Sequence, residues 1–249
     1  MTTVADVAGA MERIAPLAGA WSDDNVGLLV GDPRAIVARV LLAIDLTNDV
    51  VAEAVAERCE LVVAYHPPLF GKVRALLASH PVHAAIRAGL AVYSPHTALD
   101  AADGGTADVL ADAVGMGANR GQGALHRVGD VPVVSRQKLV ARVKAALGVN
   151  VVLVAGPLDG DVTRVGVAAG SAGEILPAII AAGAQAFVTG ELRHHDALAA
   201  ARAGLTVICA LHSNSERLAL APLATRLRGA VPGVTFALSA ADRDPFVIA

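Results

Sequence analysis

Cysteine is nearly absent. Cys59 and Cys209 are the two in 249 residues, too few for a disulfide framework, and neither sits in a Cys-x-x-Cys pair that would hold zinc or exchange thiols. They read as small buried hydrophobes. Aromatic residues make up 3% of the chain and the formal net charge is −3, so there is little to stack on bases and no basic footprint for phosphates. Nucleic acid is therefore not an expected partner. No apolar run approaches the ~20 residues that span a bilayer, and Met1-Thr2-Thr3-Val4-Ala5-Asp6 lacks the basic and apolar regions of a secretion signal. No membrane partner and a cytoplasmic location are expected. What is plentiful is apolar: 55% hydrophobic against 17% charged residues excludes disorder and supplies the core of one large or two small domains.

Along the chain, Val7, Met11, Ile14 and Ala18 recur at helical spacing, predicting an amphipathic helix from Thr3 to Ala18 with Asp6 in its first turn. A polar loop through Trp21 and Asp24 then runs into a short strand between Gly27 and Gly31. Its residues either line a pocket or cap the core. From Arg39 onward strands and helices alternate at βα spacing, which predicts a largely parallel sheet covered on both faces. Strands are expected at Val40 to Ile44, Leu61 to Ala64 and Leu90 to Tyr93, with helices at Asn48 to Arg58, Pro81 to Ala88, Thr106 to Val114 and Ser135 to Leu147. The glycine-rich stretch from Gly115 to Gly123 lacks the Gly-Lys-Ser/Thr ending of a P-loop and reads as a linker.

The chain also repeats itself. Arg39-Val40-Leu41-Leu42-Ala43 recurs 125 positions later as Arg164-Val165-Gly166-Val167-Ala168, and the same offset carries Leu61 to His66 onto Ala186 to Glu191. Arg87-Ala88-Gly89-Leu90 recurs as Arg202-Ala203-Gly204-Leu205 after 115 positions. Two related α/β units follow: residues 1–115, a linker over 116–134, and residues 135–249.

Polar clusters fall at the C-terminal ends of these strands, the edge where open α/β sheets bind ligands. Tyr65-His66-Pro67-Pro68 follows one strand and Ser94-Pro95-His96-Thr97-Ala98-Leu99-Asp100 the next. In the second unit Glu191 with His194 and His195 follows the matching strand, and His212-Ser213-Asn214-Ser215-Glu216 follows the last. His66, Asp100, His212 and Glu216 supply two imidazoles and two carboxylates, a set suited to zinc, manganese or iron. If both are helical, His212 and Glu216 project from one face, one turn apart. Each residue also has an ordinary reading: His66 as a loop histidine, Asp100 in a turn, and Ser213-x-x-Glu216 as a capping box. Their joint placement on one edge of two sheets favours the metal reading. His80, His83 and His126 have no such placement and are assigned to solvated surface.

Five motifs together resemble the Nif-three-like family, whose members include GTP cyclohydrolase I type 2 homologues. They are Asp24-Asn25-Val26-Gly27-Leu28-Leu29-Val30-Gly31, Tyr65-His66-Pro67-Pro68-Leu69-Phe70, His96-Thr97-x-x-Asp100, Thr189-Gly190-Glu191 with His195-Asp196, and His212-x-x-x-Glu216. The resemblance covers nearly the whole chain and matches the short form without a central inserted domain. It implies an α/β fold of two related, intertwined three-layer αβα units with mostly parallel sheets, a dinuclear site in the cleft between them, and a ring-shaped homohexamer.

Carried over by motif, the implied metal ligands are His66, Asp100, His212 and Glu216, binding one or two divalent ions per chain. Many bacterial members have a histidine where this chain has Tyr65, and a protonated phenol is a poor ligand. A second ion is therefore expected to be weakly held or absent, or to recruit His96; Tyr65 and His96 are the additional candidate ligands. Glu191 and His195 are the candidate catalytic residues, orienting ligands or moving protons. The function implied is a metal-dependent hydrolase using a metal-activated water on a small-molecule substrate, with Arg74 and Arg193 the cations nearest the motifs. The alternative is a non-catalytic metal-binding regulatory or adaptor oligomer.

Overall fold

Short apolar runs closed by glycine or proline become strands, and the alanine-rich amphipathic runs between them become helices. The computed structural model describes residues 1–248. Two units emerge, one of Met1–Asp103 with Leu220–Ala249, the other of Gly104–Ala219. The chain thus leaves its first unit after Asp103 and returns at Leu220. This differs from the expected division into 1–115 and 135–249, because the last helix and strand belong with the first unit. The expected linker over 116–134 differs too. It carries strand β5 (Arg120–Gln122) and most of β6 (Arg127–Ser135), whose alternation is masked by glycine and by Pro132.

The first unit contains α1 (Val4–Ile14), β1 (Gly27–Val30), β2 (Arg39–Ala43), α2 (Asn48–Ala56), β3 (Leu61–Ala64), α3 (Pro81–Arg87), β4 (Ala91–Ser94) and α4 (His96–Ala101). The returning segment adds α10 (Leu220–Ala230) and β11 (Thr235–Leu238). Thr3 caps α1 through a reciprocal bond with Asp6, a capping box. The sheet runs β1-β4-β3-β2-β11, parallel except for β1. Successive side chains point to opposite faces. Val40, Leu42 and Ile44 pack with Val7 and Met11 of α1 and Leu223 and Leu227 of α10. Leu41, Ala43 and Val62 pack on the other face with Val50 and Ala54 of α2 and Val82 of α3.

The second unit contains α5 (Thr106–Ala113), β5 and β6, then α6 (Arg136–Leu147), β7 (Leu153–Ala155), β8 (Asp161–Ser171), α7 (Leu176–Ala181), β9 (Ala186–Glu191), α8 (His194–Arg202), β10 (Thr206–Cys209) and α9 (His212–Arg217). Its sheet runs β5-β6-β8-β9-β10-β7, with β8, β9 and β10 parallel. Val165, Val167 and Val188 face α5 and α6, while Ala168, Phe187 and Val207 face α7 and α8. Each unit is a three-layer αβα sandwich. A buried ion pair braces the second: Arg127, 1% exposed, donates to both oxygens of Asp108 at 2.8 and 3.2 Å. Among the described residues no helix is long and apolar enough to cross a membrane.

The repeat seen in the sequence holds in the ladders. Val40 lies opposite Leu61 and Leu61 opposite Ala91; at the same offsets Val165 lies opposite Ala186 and Ala186 opposite Thr206. It extends to the antiparallel edge strands. Gly31 after β1 and Gly156 after β7 stand 125 positions apart, and both adopt left-handed backbone, φ +108° and +84°. A Cβ at Gly31 would come within 2.6 Å of Ala91 Cβ, and one at Gly156 within 2.1 Å of the Leu205 carbonyl oxygen.

Gly156→Ala is therefore strained twice, by its φ and by a backbone clash, and should cost about 2–5 kcal/mol. Gly160 has the same φ of +84° but open space around it, so Gly160→Ala meets only the strain. Thermal unfolding should show the Gly156 variant clearly less stable than the Gly160 variant; equal midpoints would contradict the clash.

Candidate functional site

In the first unit, the polar residues that follow β2, β3 and β4 form one cluster. Asp45, beyond β2, accepts from His66 Nδ1 at 2.9 Å. His66 extends the parallel ladder by one bond, its N–H donating to the Ile44 carbonyl at 3.0 Å. His96, beyond β4, donates from Nδ1 to both oxygens of Asp24 at 2.8 Å. Thr97 adds its N–H to Asp24 at 3.2 Å and also its hydroxyl, while the same hydroxyl accepts from the Trp21 N–H at 3.1 Å. Tyr65, 1% exposed, donates its hydroxyl to Asp100. The rings of Tyr65, His66 and His96 meet edge to face, with centroids 5.2 to 5.9 Å apart.

Burial of the Asp24 carboxyl, whose side chain is 4% exposed, pushes its pKa up, but the bonds from Thr97 and His96 together outweigh burial and hold it below the ordinary carboxylate value. Asp24 is thus an ionised acceptor, and His96 carries its proton on Nδ1.

In the second unit, Glu191 ends β9 and accepts from His212 Nδ1 at 3.1 Å. His212 and Glu216 share one face of α9, with Nε2 3.3 Å from Oε1 of the buried Glu216. Close backbone approach makes this possible. A Cβ on Gly170 would come within 2.7 Å of Glu216 Oε1, and one on Gly190 within 2.9 Å of His212 Cα. Ser215 Oγ ties the turn together, accepting from the Gly170 N–H at 2.9 Å and donating to the His212 carbonyl at 2.7 Å. The capping-box reading fails here: α9 begins at His212 with Leu211 as its N-cap, so Ser213 already lies inside the helix.

Both helices are entered through strained backbone. Arg58, His96 and Leu211 are the non-glycine residues with positive φ among those described, and His96 (+31°) and Leu211 (+70°) occupy equivalent places 115 positions apart. Such conformations cost roughly 1–3 kcal/mol and persist where the surroundings impose them.

The sequence candidates thus fall into two groups. Tyr65, His66, His96 and Asp100 are brought together in one unit, and Glu191, His212 and Glu216 in the other. His195 is exposed at the start of α8, its ring packed on His194 at 5.4 Å, and it joins neither Glu191 nor His212 among the described residues. Tyr65 serves as donor to Asp100. His80, His83 and His126, expected in solvated surface, are half-buried; His80 caps α3, accepting from the Val82 N–H at 3.2 Å. Asp45 was not singled out by sequence, although its place directly after β2 was the available signal. Asp24 was seen within its motif, but its partner 72 residues away was not.

Three imidazoles, those of His66, His96 and His212, each have Nδ1 bonded to a carboxylate. With the proton on Nδ1 each ring presents Nε2 as the ligand atom, and that of His212 already faces the Glu216 carboxylate at 3.3 Å; this carboxylate–histidine arrangement is the usual one behind a metal ion. The donor set therefore fits a divalent metal.

The chain matches the family described as Duf34/NIF3 (NGG1p interacting factor 3) over residues 2–245. It is 36% identical over 227 residues to "Protein NIF3 homolog" of Schizosaccharomyces pombe, covering 81% of this chain and 79% of that one. It is 28% identical over 257 residues to "GTP cyclohydrolase 1 type 2 homolog" of Clostridium perfringens, covering 97% of both. In structure it is similar to a Bacillus cereus protein related to NIF3, with a TM-score of 0.92 over 100% of this chain and 99% of the other; at 20% identity this likeness speaks to the fold.

The Asp24 network makes a prediction. Thr97→Val keeps the side-chain shape but removes the hydroxyl bond to a nearly buried carboxylate, and should cost about 1–3 kcal/mol in urea denaturation at neutral pH. Because the folded pKa of Asp24 is depressed, its contribution is complete above the ordinary carboxylate range and is lost as pH falls through the lowered value. The gap between wild type and variant should therefore narrow below about pH 4. Equal stability at neutral pH would contradict the assignment.

Proposed function

The chain belongs to the Duf34/NIF3 family, and from that premise we propose that it binds divalent metal and acts as a metal-dependent hydrolase of the GTP cyclohydrolase 1 type 2 kind. The observation that carries the reading is the carboxylate on Nδ1 of both His66 and His212, which prepares each Nε2 as a donor. His66, Asp100, His212 and Glu216 would hold the ion, a mixed nitrogen and oxygen set that suits zinc, manganese or iron. When bound, such an ion supplies Lewis acidity and lowers the pKa of coordinated water.

The chain's own residues do the rest. Asp45 and Glu191 hold the two imidazoles in one tautomer and one orientation. Tyr65 keeps the Asp100 carboxylate aimed by donating to one of its oxygens, which gives it a positioning role. Among the described residues His96, anchored by Asp24 and lying beside His66 with ring centroids 5.4 Å apart, is the added nitrogen donor for a second ion. His195, exposed on α8, is the candidate to carry protons to and from solvent. The reaction on GTP would be hydrolysis of both C8–N bonds of the base's imidazole ring, one water for each, with C8 leaving as formate. The homohexamer is part of the same proposal, read out by mass in solution.

Purified protein should retain one or two divalent ions per chain, and His212→Ala should lose most of them. Glu191→Gln, which removes the charge behind Nδ1, should weaken metal binding by about 10–100-fold. Unchanged metal content in His212→Ala would overturn the metal reading. With metal bound, release of formate from GTP tests the hydrolase; no turnover with zinc, manganese or iron would leave a metal-binding protein of regulatory type.

A further inference from the structure

Beyond Tyr65 and His66, the connection from β3 to α3 runs through a segment that the metal reading leaves unused. Phe70 and Leu77 are each 68% exposed and Val73 46%, an apolar concentration on one exposed segment that ordinary surface does not require. Its ends are fixed. Asn25 Nδ2 donates to the Leu69 carbonyl at 2.8 Å and Asn48 Nδ2 to the Ser79 carbonyl at 3.1 Å. Pro67 and Pro68 stiffen the entry, and Gly71, with φ +59° and open space around it, turns the chain directly after Phe70.

Phe70 also touches the polar cluster. Its ring meets that of His96 edge to face, with centroids 5.8 Å apart, while most of the side chain remains open to solvent. Two and four residues further on are Lys72 and Arg74, both exposed and in no ion pair among the described residues, unlike Arg34, Arg39, Arg120, Arg127 and Arg164. Chain reach keeps their Cα atoms within about 7 and 14 Å of that of Phe70, a separation on the scale of a nucleotide from base to phosphates.

We infer that the segment Phe70–Arg74 is the substrate-binding element, taking a planar heteroaromatic group against Phe70 and an attached phosphate on Lys72 and Arg74. The choice of GTP as probe rests on the function proposed above; the loop's chemistry does not. Stacking on Phe70 is indifferent to which base is offered, whereas the cations recognise only the phosphorylated form.

Equilibrium dialysis of the full chain with GTP and with guanosine tests this. Phe70→Ala should weaken both ligands by about tenfold. The double variant K72A/R74A should weaken GTP by at least about tenfold while leaving guanosine unchanged. Metal content should stay at the wild-type level in K72A/R74A, which touches no proposed ligand, and that variant carries the control because Phe70 packs on His96. GTP affinity unaltered in both variants overturns the inference, as would wild-type sedimentation with phosphatidylserine vesicles that Phe70→Ala abolishes, because the loop would then be a lipid contact. Weakened GTP binding in the variants without formate release by wild type would support the loop assignment and overturn the hydrolase; formate release undiminished in both variants would do the reverse.

Discussion

Three parallel strands held in one register decide where each polar side chain of interest falls. Once Val40, Leu61 and Ala91 are opposite one another, Asp45, His66 and the turn into His96 must leave the sheet at a common edge. The second unit repeats the register through Val165, Ala186 and Thr206, and Gly170, Glu191 and Leu211 take the matching places at the ends of its strands. The pairing is built alike in both. A carboxylate at the end of one parallel strand, Asp45 or Glu191, holds an imidazole that follows the next strand, His66 or His212. The pairs come from different strands of the two sheets, β2 with β3 in one and β9 with β10 in the other, so a duplicated scaffold carries diverged donors.

The sheet edges are polar, but what lies beneath them is tightly packed and locally strained. Left-handed backbone at His96 and Leu211 introduces the helices that carry Asp100, and His212 with Glu216. Gly170 and Gly190 lack the Cβ atoms that would collide with α9. The same two glycines appear in sequence as ordinary strand residues, and their requirement becomes visible only when helix and strand are in contact. Gly190 serves closeness alone, whereas Gly170, at φ +64°, also serves turning, as Gly31 and Gly156 do.

Much of this could be read beforehand. The strand Leu61 to Ala64, the placement of His66 after it and the offset of 125 positions follow from period, proline and glycine alone, and the structure has the same strand and the same register. Three features were not readable, for physical reasons. The return of α10 and β11 to the first unit is a contact between segments nearly 200 residues apart, as in the bond from the Ile44 N–H to Asp242, and no local pattern encodes it. Strand β6 carries Pro132 and a register shift between Asp130 and Val134, which broke the alternation by which strands are recognised. Asp24 and Asp45 are short carboxylates in turns, where such residues usually serve the backbone; only their partners, His96 and His66, distinguish them.

The central claim is that the Nδ1 bonds of His66 and His212 leave Nε2 of each ring as a metal ligand. Anomalous scattering at the zinc, manganese and iron edges from crystals of the metal-loaded protein tests it most directly. The account predicts an anomalous peak bonded to Nε2 of both histidines, with Asp45 and Glu191 still on Nδ1. A peak on Nδ1, or loaded metal bound elsewhere with both Nε2 atoms bare, would contradict it.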